Sequence, residues 1–345
     1  MQRFDSKILK ELMQHTLKSY YVNEDSLYHV TESLIQTSLR GVDSHGINLF
    51  PHYINAIKSG RINKNPKIQI KDNASSTAIL YADHSFGHHS GAIAMDYAIK
   101  KSKSTGIFAI NVRNSTHFGA AAYFALKASE KNCIGFSFTN ADALVKAFGS
   151  KDSFFGTNPI CFTAPLMNEE PLCLDMATSL VSWNKIKNYR RNDKEIPKNW
   201  AFDKNGAPVI NPHEASSLSP AGEYKGFGLG MMVDILCAVL GESTISKDII
   251  PMYTSIEKKR DISHFFMALD IEKFLNISVF KTILQNMVNR IRSLPKLNNI
   301  DSVMVPGDPE KIKYKKRISK GIPVDNSVLE EFFLISESFK NALIS

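Results

Sequence analysis

Apolar positions in the first 60 residues recur at steps of three and four, the spacing of one helix face. Ile8, Leu9, Leu12 and Leu17 mark a first helix, with Asp5 or Ser6 placed to cap its start. Leu27, Val30, Leu34 and Ile35 stripe a second helix over about residues 24–40, and Gly41 suits a C-terminal cap. The loop Gly41-Val42-Asp43-Ser44-His45-Gly46 follows, then a short amphipathic helix over about 52–58.

From about residue 67 the pattern changes. Short β-rich runs (IQI, TAILY, IFAINV, CIGFSFT, CFTAP, PLCLDM) alternate with helical stretches such as GAIAMDYAIKKSK and AAAYFALKASEKN. That alternation predicts an α/β core around a buried sheet. A long helix over about 225–240, a strand HFFMALD, a helix over about 279–292 and a helical C-terminus complete the chain. The segment 243–262 lacks periodicity and reads as a mobile surface loop or lid. The expected organisation is a helical segment 1–65 packing with a C-terminal segment 275–345, around an α/β cofactor-binding and catalytic core of 66–274.

Composition narrows the class. The chain has 345 residues, 43% hydrophobic and 22% charged, an ordinary globular balance. No run approaches the roughly 18 apolar residues of a membrane span, and the charged N-terminus lacks the apolar centre of a signal peptide. Cys133, Cys161, Cys173 and Cys237 form no CxxC pair, so free thiols in a reducing compartment, the cytoplasm, are expected. The net charge of +8 is spread out, with denser clusters at 185–191 and 311–317 in no nucleic-acid module. A solvated or anion-attracting face is the expected reading, with neither nucleic acid nor membrane as partner.

Candidate chemistry sits in loops. No GxGxxG follows a strand and no Walker A motif occurs. Gly226-Phe227-Gly228-Leu229-Gly230 opens a helix, where small residues serve phosphate approach or helix packing equally well. His45 follows a helix cap, and His117 stands between a strand and a helix, where α/β sheets form ligand crevices. Each suits the transfer of one proton near neutral pH, or a hydrogen-bonding role in its loop. Asp83, His84, His88 and His89 have metal-ligand residue types but no partner set, so a polar turn with no metal is expected.

Five blocks in order carry a resemblance: GVDSHG at 41–46, STHFG at 115–119, GTNP at 156–159 leading to Ala164-Pro165, LDMATS at 174–179 and YKGFGL at 224–229. With weaker echoes at Trp200-Ala201, His264-Phe265, Pro306-Gly307-Asp308 and Gly321-Ile322-Pro323, the chain resembles the type 2 malate/L-lactate dehydrogenase family along nearly its whole length. The resemblance implies a non-Rossmann nicotinamide-binding α/β fold with NAD or NADP as cofactor. It also implies a homodimer and hydride transfer on a small 2-hydroxy or 2-oxo acid, or a related carbonyl or imine. It implies acid/base roles for His117 and His45, with substrate contacts from Ser44 and His45. Cofactor positions carry over to Thr139-Asn140-Ala141, to Asp175, Met176 and Ala177, to Lys225, and to Gly307 and Asp308.

Departures bear on the substrate. Leu49 stands where many relatives have a carboxylate-clamping arginine, which leaves Arg61, Arg113 or Lys146 as substitute cations. Gly222-Glu223 replaces a pair of glycines, and Ala141 a common serine. A catalytically impaired nucleotide-binding relative, or a metal-dependent hydrolase built on His84 and His88, are the alternatives.

Overall fold

The computed structural model describes residues 2–344. Its centre is a seven-stranded sheet, ordered Gln69–Ala74, Thr77–Tyr81, Ile107–Ser115, Ile262–Asp270, Cys133–Thr139, Ile160–Ala164 and Leu172–Met176. Among the described residues Thr77–Tyr81 and Ile107–Ser115 run parallel, and the other five neighbouring pairs are antiparallel. Ile262–Asp270 arrives from far along the chain and inserts between Ile107–Ser115 and Cys133–Thr139. Alternating strands and helices therefore build a mixed sheet rather than a doubly wound parallel one.

Successive residues of that central strand face opposite sides. Phe266 joins Phe108, Ile110, Met95 and Phe124 beneath the helices Gly87–Thr105 and Ala122–Glu130. Phe265 packs with Phe138, Val233 and Cys237 on the other side. His264, fully buried, bonds Thr139 Oγ1 at 2.7 Å and Ser115 Oγ at 2.8 Å, so both ring nitrogens tie neighbouring strands.

A second core joins the helices Ser6–Ser19, Glu24–Leu39 and Phe50–Lys58 to Ile322, Val324, Leu329, Phe332 and Phe339 from the other end of the chain. The short strands Gln2–Phe4 and Ile322–Val324 pair beside it. The helix Ile277–Arg292 packs elsewhere, setting Val288 against Leu166 and Val305. A third core lies beneath a four-stranded sheet and the helix Trp183–Arg191, around Val145, Ile186, Ala201 and Leu218.

Two departures from the periodicity have local causes. The helix predicted over about 225–240 is regular from Tyr224 to Asp234, then widens into a π-turn at Ile235–Val239. Asn111 Nδ2 donates there to the carbonyls of Leu236 (2.8 Å) and Cys237 (2.9 Å), taking acceptors from the helical ladder. The segment 243–262 is tied down rather than free at the surface. The buried Arg61 guanidinium donates to the carbonyls of Met252, Thr254, Ser255 and Lys258 at 2.7–3.1 Å.

Replacing Arg61 by Ala strips charge-assisted hydrogen bonds from four carbonyls at once. We expect a loss on the order of 3 kcal/mol in urea unfolding, with faster limited proteolysis between Pro251 and Lys258. Unchanged stability and cleavage would show that the segment is held by other means.

Candidate active site

Local geometry explains why the first motif requires its residue types. After the helix Glu24–Leu39, Gly41 takes φ +80°, a left-handed conformation that suits glycine. A short turn, Asp43–His45, follows. Arg317 grips the Asp43 carboxylate with two N–H groups, at 2.5 and 2.9 Å. Gly46 lies so close to Ser38 that a Cβ would fall 2.1 Å from its Oγ. Ser38 Oγ in turn accepts the Ile47 N–H at 2.9 Å. The loop is thereby pinned on both sides, and His45 Nδ1 meets Ser44 Oγ at 2.9 Å.

His117 comes from the end of the strand Ile107–Ser115, yet it stacks on His45, with centroids 5.7 Å apart and planes at 25°. Its Nδ1 lies 2.7 Å from the hydroxyl of Tyr53. Tyr53 is 1% exposed on the helix Phe50–Lys58, and burial holds its phenol well above the usual range, so it stays protonated. That bond supports two tautomers. With the phenol donating, the ring proton sits on Nε2 as a hydrogen-bond donor; with Nδ1–H donating, Nε2 is a free base that can take a proton.

Burial sets the charge state. Loss of solvation pushes His117 well below its ordinary value, and His45, His88, His52 and Arg260 act in the same direction. Burial alone lowers His45 to about 4. Both imidazoles are therefore neutral at pH 7.

The pair sits in a cleft of about 1190 Å³. Ser44, His45, His117, Ala141, Asp175, Met176, Ala177 and Gly307 all line it, so most positions singled out from the sequence come together. Asp175 opens to the cleft from the end of Leu172–Met176 and accepts the Ala122 N–H at 2.9 Å. Partial loss of solvation in the cleft wall raises the carboxyl to about 6, with the Ala122 bond opposing the rise. Ala122 begins the helix Ala122–Glu130, whose first N–H is thus met by Asp175, and Gly119, Ala120 and Ala121 precede it in the cleft wall.

Three predicted positions lie apart. Asn140 is buried, with its amide donating to Thr244 O (2.9 Å) and accepting from Ser263 N (3.0 Å). The Asp308 carboxylate is held by Arg292 and accepts the Val305 N–H at 3.0 Å, which braces the turn carrying Gly307. Lys225 is exposed at the start of its helix and is not part of the cleft wall.

The substitute cations are engaged elsewhere. Arg61 holds loop carbonyls, Arg113 pairs with Glu242 at 3.3 Å, and Lys146 donates to Gly206 O at 3.0 Å. Leu49 is part of the N-terminal core. The histidines of the 84–89 turn diverge: His84 faces Asp261 at 3.4 Å, His88 packs on Tyr53, and His89 Nδ1 meets Ser26 Oγ at 2.8 Å. Among the described residues no three His, Cys, Asp or Glu side chains converge on a metal-sized site.

Several residues in or behind the cleft wall escaped the sequence reading. Tyr53 lay on a helix that periodicity revealed, but nothing local links it to a histidine 64 positions away. Asp142, Asn184, Tyr253 and Arg260 line the same cleft from irregular or short elements. Asn184 Nδ2 donates to Ser44 O at 3.2 Å, joining the small-sheet lobe to the histidine loop.

Residues 4–332 match the malate/L-lactate dehydrogenase family. The chain belongs to that family. Its members are oxidoreductases acting on CH–OH groups. The chain is 38% identical to malate dehydrogenase of Pyrococcus abyssi over 89% of its length and 87% of the relative's. It is 29% identical to the NAD(+) ureidoglycolate dehydrogenase of Escherichia coli, over 98% and 97%. The crystal structure of malate dehydrogenase from Entamoeba histolytica superimposes with a TM-score of 0.92 at 31% identity, covering 98% of each chain.

Tyr53→Phe removes the partner of His117 Nδ1 and little volume. We expect turnover to fall about 10- to 100-fold, with KM nearly unchanged and the pH profile displaced. An unaltered rate and profile would show that the bond has no part in proton transfer.

Proposed function

We propose that the chain is a dehydrogenase that moves a hydride between NAD or NADP and a small 2-hydroxy or 2-oxo acid, or a related carbonyl or imine. The reading rests above all on the stacked, neutral His45–His117 pair at the wall of a cleft of about 1190 Å³. The names of the relatives, one of them an NAD(+) enzyme, support it.

The residues present fit such a cofactor. The start of Ala122–Glu130 is fronted by Gly119, Ala120 and Ala121, whose small side chains leave the backbone open to the approach of a pyrophosphate. Asp175, an acceptor without a cationic partner among the described residues, suits a ribose hydroxyl, and Met176, Ala177, Ala141 and Gly307 offer backbone and apolar wall. When bound, the nicotinamide ring supplies or takes the hydride.

In the oxidising direction His117, with its proton on Nδ1 toward Tyr53, accepts the hydroxyl proton of the substrate at Nε2. The ring is then an imidazolium whose Nδ1–H still donates to Tyr53, and in reduction that imidazolium returns the Nε2 proton to the new alkoxide oxygen. His45, hydrogen-bonded by Ser44, faces the same space, orients the substrate oxygen and shares the charge that develops. Asn140, Asp308 and Asn184 hold the walls in register, while Lys225 stands at the mouth of an exposed helix.

Cytoplasmic residence is part of this reading, supported by four free thiols. Among the described residues no helix is long and apolar enough to cross a membrane. Self-association is also part of it. The helix that carries Lys225 exposes Leu229, Met231, Met232 and Ile235, and Val239 and Leu240 continue the apolar surface. Light scattering behind size exclusion is expected to give twice the 38.6 kDa chain mass; a monomer at micromolar concentration would remove the homodimer.

The decisive assay is a panel of small hydroxy acids, keto acids and cyclic imines with both cofactors, followed by absorbance of the reduced nicotinamide. His117→Asn is expected to lower turnover by at least about 100-fold with cofactor binding retained. Because His117 is depressed, oxidation should hold its rate as pH falls through 6.5 and fail only below. A fully active variant would remove the His117 assignment, and cofactor binding without turnover in the native protein would favour an impaired relative.

A further inference from the structure

A hydroxy or oxo acid brings a carboxylate into the cleft, and two neutral imidazoles cannot balance its charge. The residue four positions after His45 is Leu49, which is turned into the N-terminal core. The three cations that the sequence offers in its place are all engaged elsewhere. One other arginine answers the need.

Arg260 lies two residues before the central strand Ile262–Asp270, is 3% exposed, and lines the same cleft as His45, His117, Asn184 and Tyr253. Its plane is set by two anchors. Nε donates to Ile250 O at 2.7 Å, and Nη2 pairs with the Asp142 carboxylate. Its Nη1 group has no hydrogen-bond partner among the described residues, although the side chain is all but buried. A buried guanidinium with one unmatched edge retains unmet donors, and a planar carboxylate is the group whose geometry fits them.

The surroundings agree. Arg260 is near enough to help depress His117 and His52 and to oppose the upward shift of Tyr53. The Lys187 ammonium stands 3.9 Å over the Tyr253 ring, adding positive charge beside the same wall. Asp142 offsets part of that field and fixes the guanidinium before any ligand arrives, so little ordering is left to be lost on binding.

We propose that Arg260 is the substrate-carboxylate anchor of this chain, its Nη1 edge receiving the acid group while the histidines face the oxygen of the reacting carbon. The inference rests on the dehydrogenase reading and narrows it to substrates with a carboxylate close to the carbonyl or hydroxyl carbon. It assigns to a residue before a central strand the task that Leu49 cannot perform from its helix.

The test compares native protein, Arg260→Gln and Arg260→Lys. Each is measured for steady-state kinetics on the best acid of the panel, for binding of reduced cofactor by fluorescence, and for calorimetric binding of oxamate to the cofactor-loaded enzyme, with neutral oxamide as control. For Arg260→Gln we expect KM and the oxamate dissociation constant to rise about 100-fold, with kcat falling less and cofactor binding changed under about twofold. Arg260→Lys should recover part of the loss, since an ammonium restores charge without the planar fork.

Oxamate binding within threefold of native in Arg260→Gln would overturn the anchor. If Arg260→Gln fails to fold, native enzyme binding oxamate and oxamide equally, or Arg260→Lys binding oxamate as tightly as native, would do the same. Native protein that turns over no acid but binds oxamate through Arg260 would sink the dehydrogenase reading and leave the anchor standing.

Discussion

Two imidazole rings stacked 5.7 Å apart in a buried wall cannot both carry charge. That constraint orders the rest of the site. Burial drives both histidines neutral, and the nearby Arg260 pushes His117 further the same way. A neutral histidine is a free base at the nitrogen that carries no proton. Tyr53, kept protonated by the same loss of solvation that holds the histidines uncharged, is hydrogen-bonded at the Nδ1 side and fixes the ring. Burial thus sets the protonation states, and Tyr53 leaves Nε2 of His117 to the cleft.

The cost of such a pair is met by structure brought from far apart. The Asp43–His45 turn is braced by Arg317 and by the close approach of Gly46 to Ser38. His117 arrives on a strand of the central sheet. Tyr53 comes on a helix of the N-terminal core, and Asn184 reaches over from the small-sheet lobe to the Ser44 carbonyl. Arg61, whose guanidinium spans four carbonyls, holds the segment that presents Tyr253 and precedes Arg260. Each core contributes a wall, and the cleft is the space they leave.

Much of this was legible along the chain because it depends on neighbours in sequence. Helices announced themselves by three- and four-residue spacing, and strands by short β-branched and aromatic runs. Gly41 and Gly46 marked the histidine loop, since a left-handed turn and a close approach to Ser38 both require glycine. The ordered motifs identified the family before any contact was known, and they carried His45, His117, Asp175 and Ala177 to one cleft. Asn140 and Asp308, carried over with them, lie outside the cleft wall, where the amide and the carboxylate find protein partners that no local pattern records.

The chain by itself determined the elements, the family and the chemical type of the site, since propensity, capping and motif order are properties of adjacent residues. Tertiary structure alone decided the direction of the strands, because Ile262–Asp270 inserts between two strands that precede it by more than a hundred positions. It alone decided that the two histidines are neutral, because their charge depends on how much water the packed cores exclude. The cations were sorted the same way. Sequence pointed to Arg61, Arg113 and Lys146 and not to Arg260, yet it is on Arg260 that packing left an unmatched donor edge at the cleft wall. Charge and hydrogen-bond saturation are set by what surrounds a side chain in space, and that is where the reading along the chain gave way to the fold.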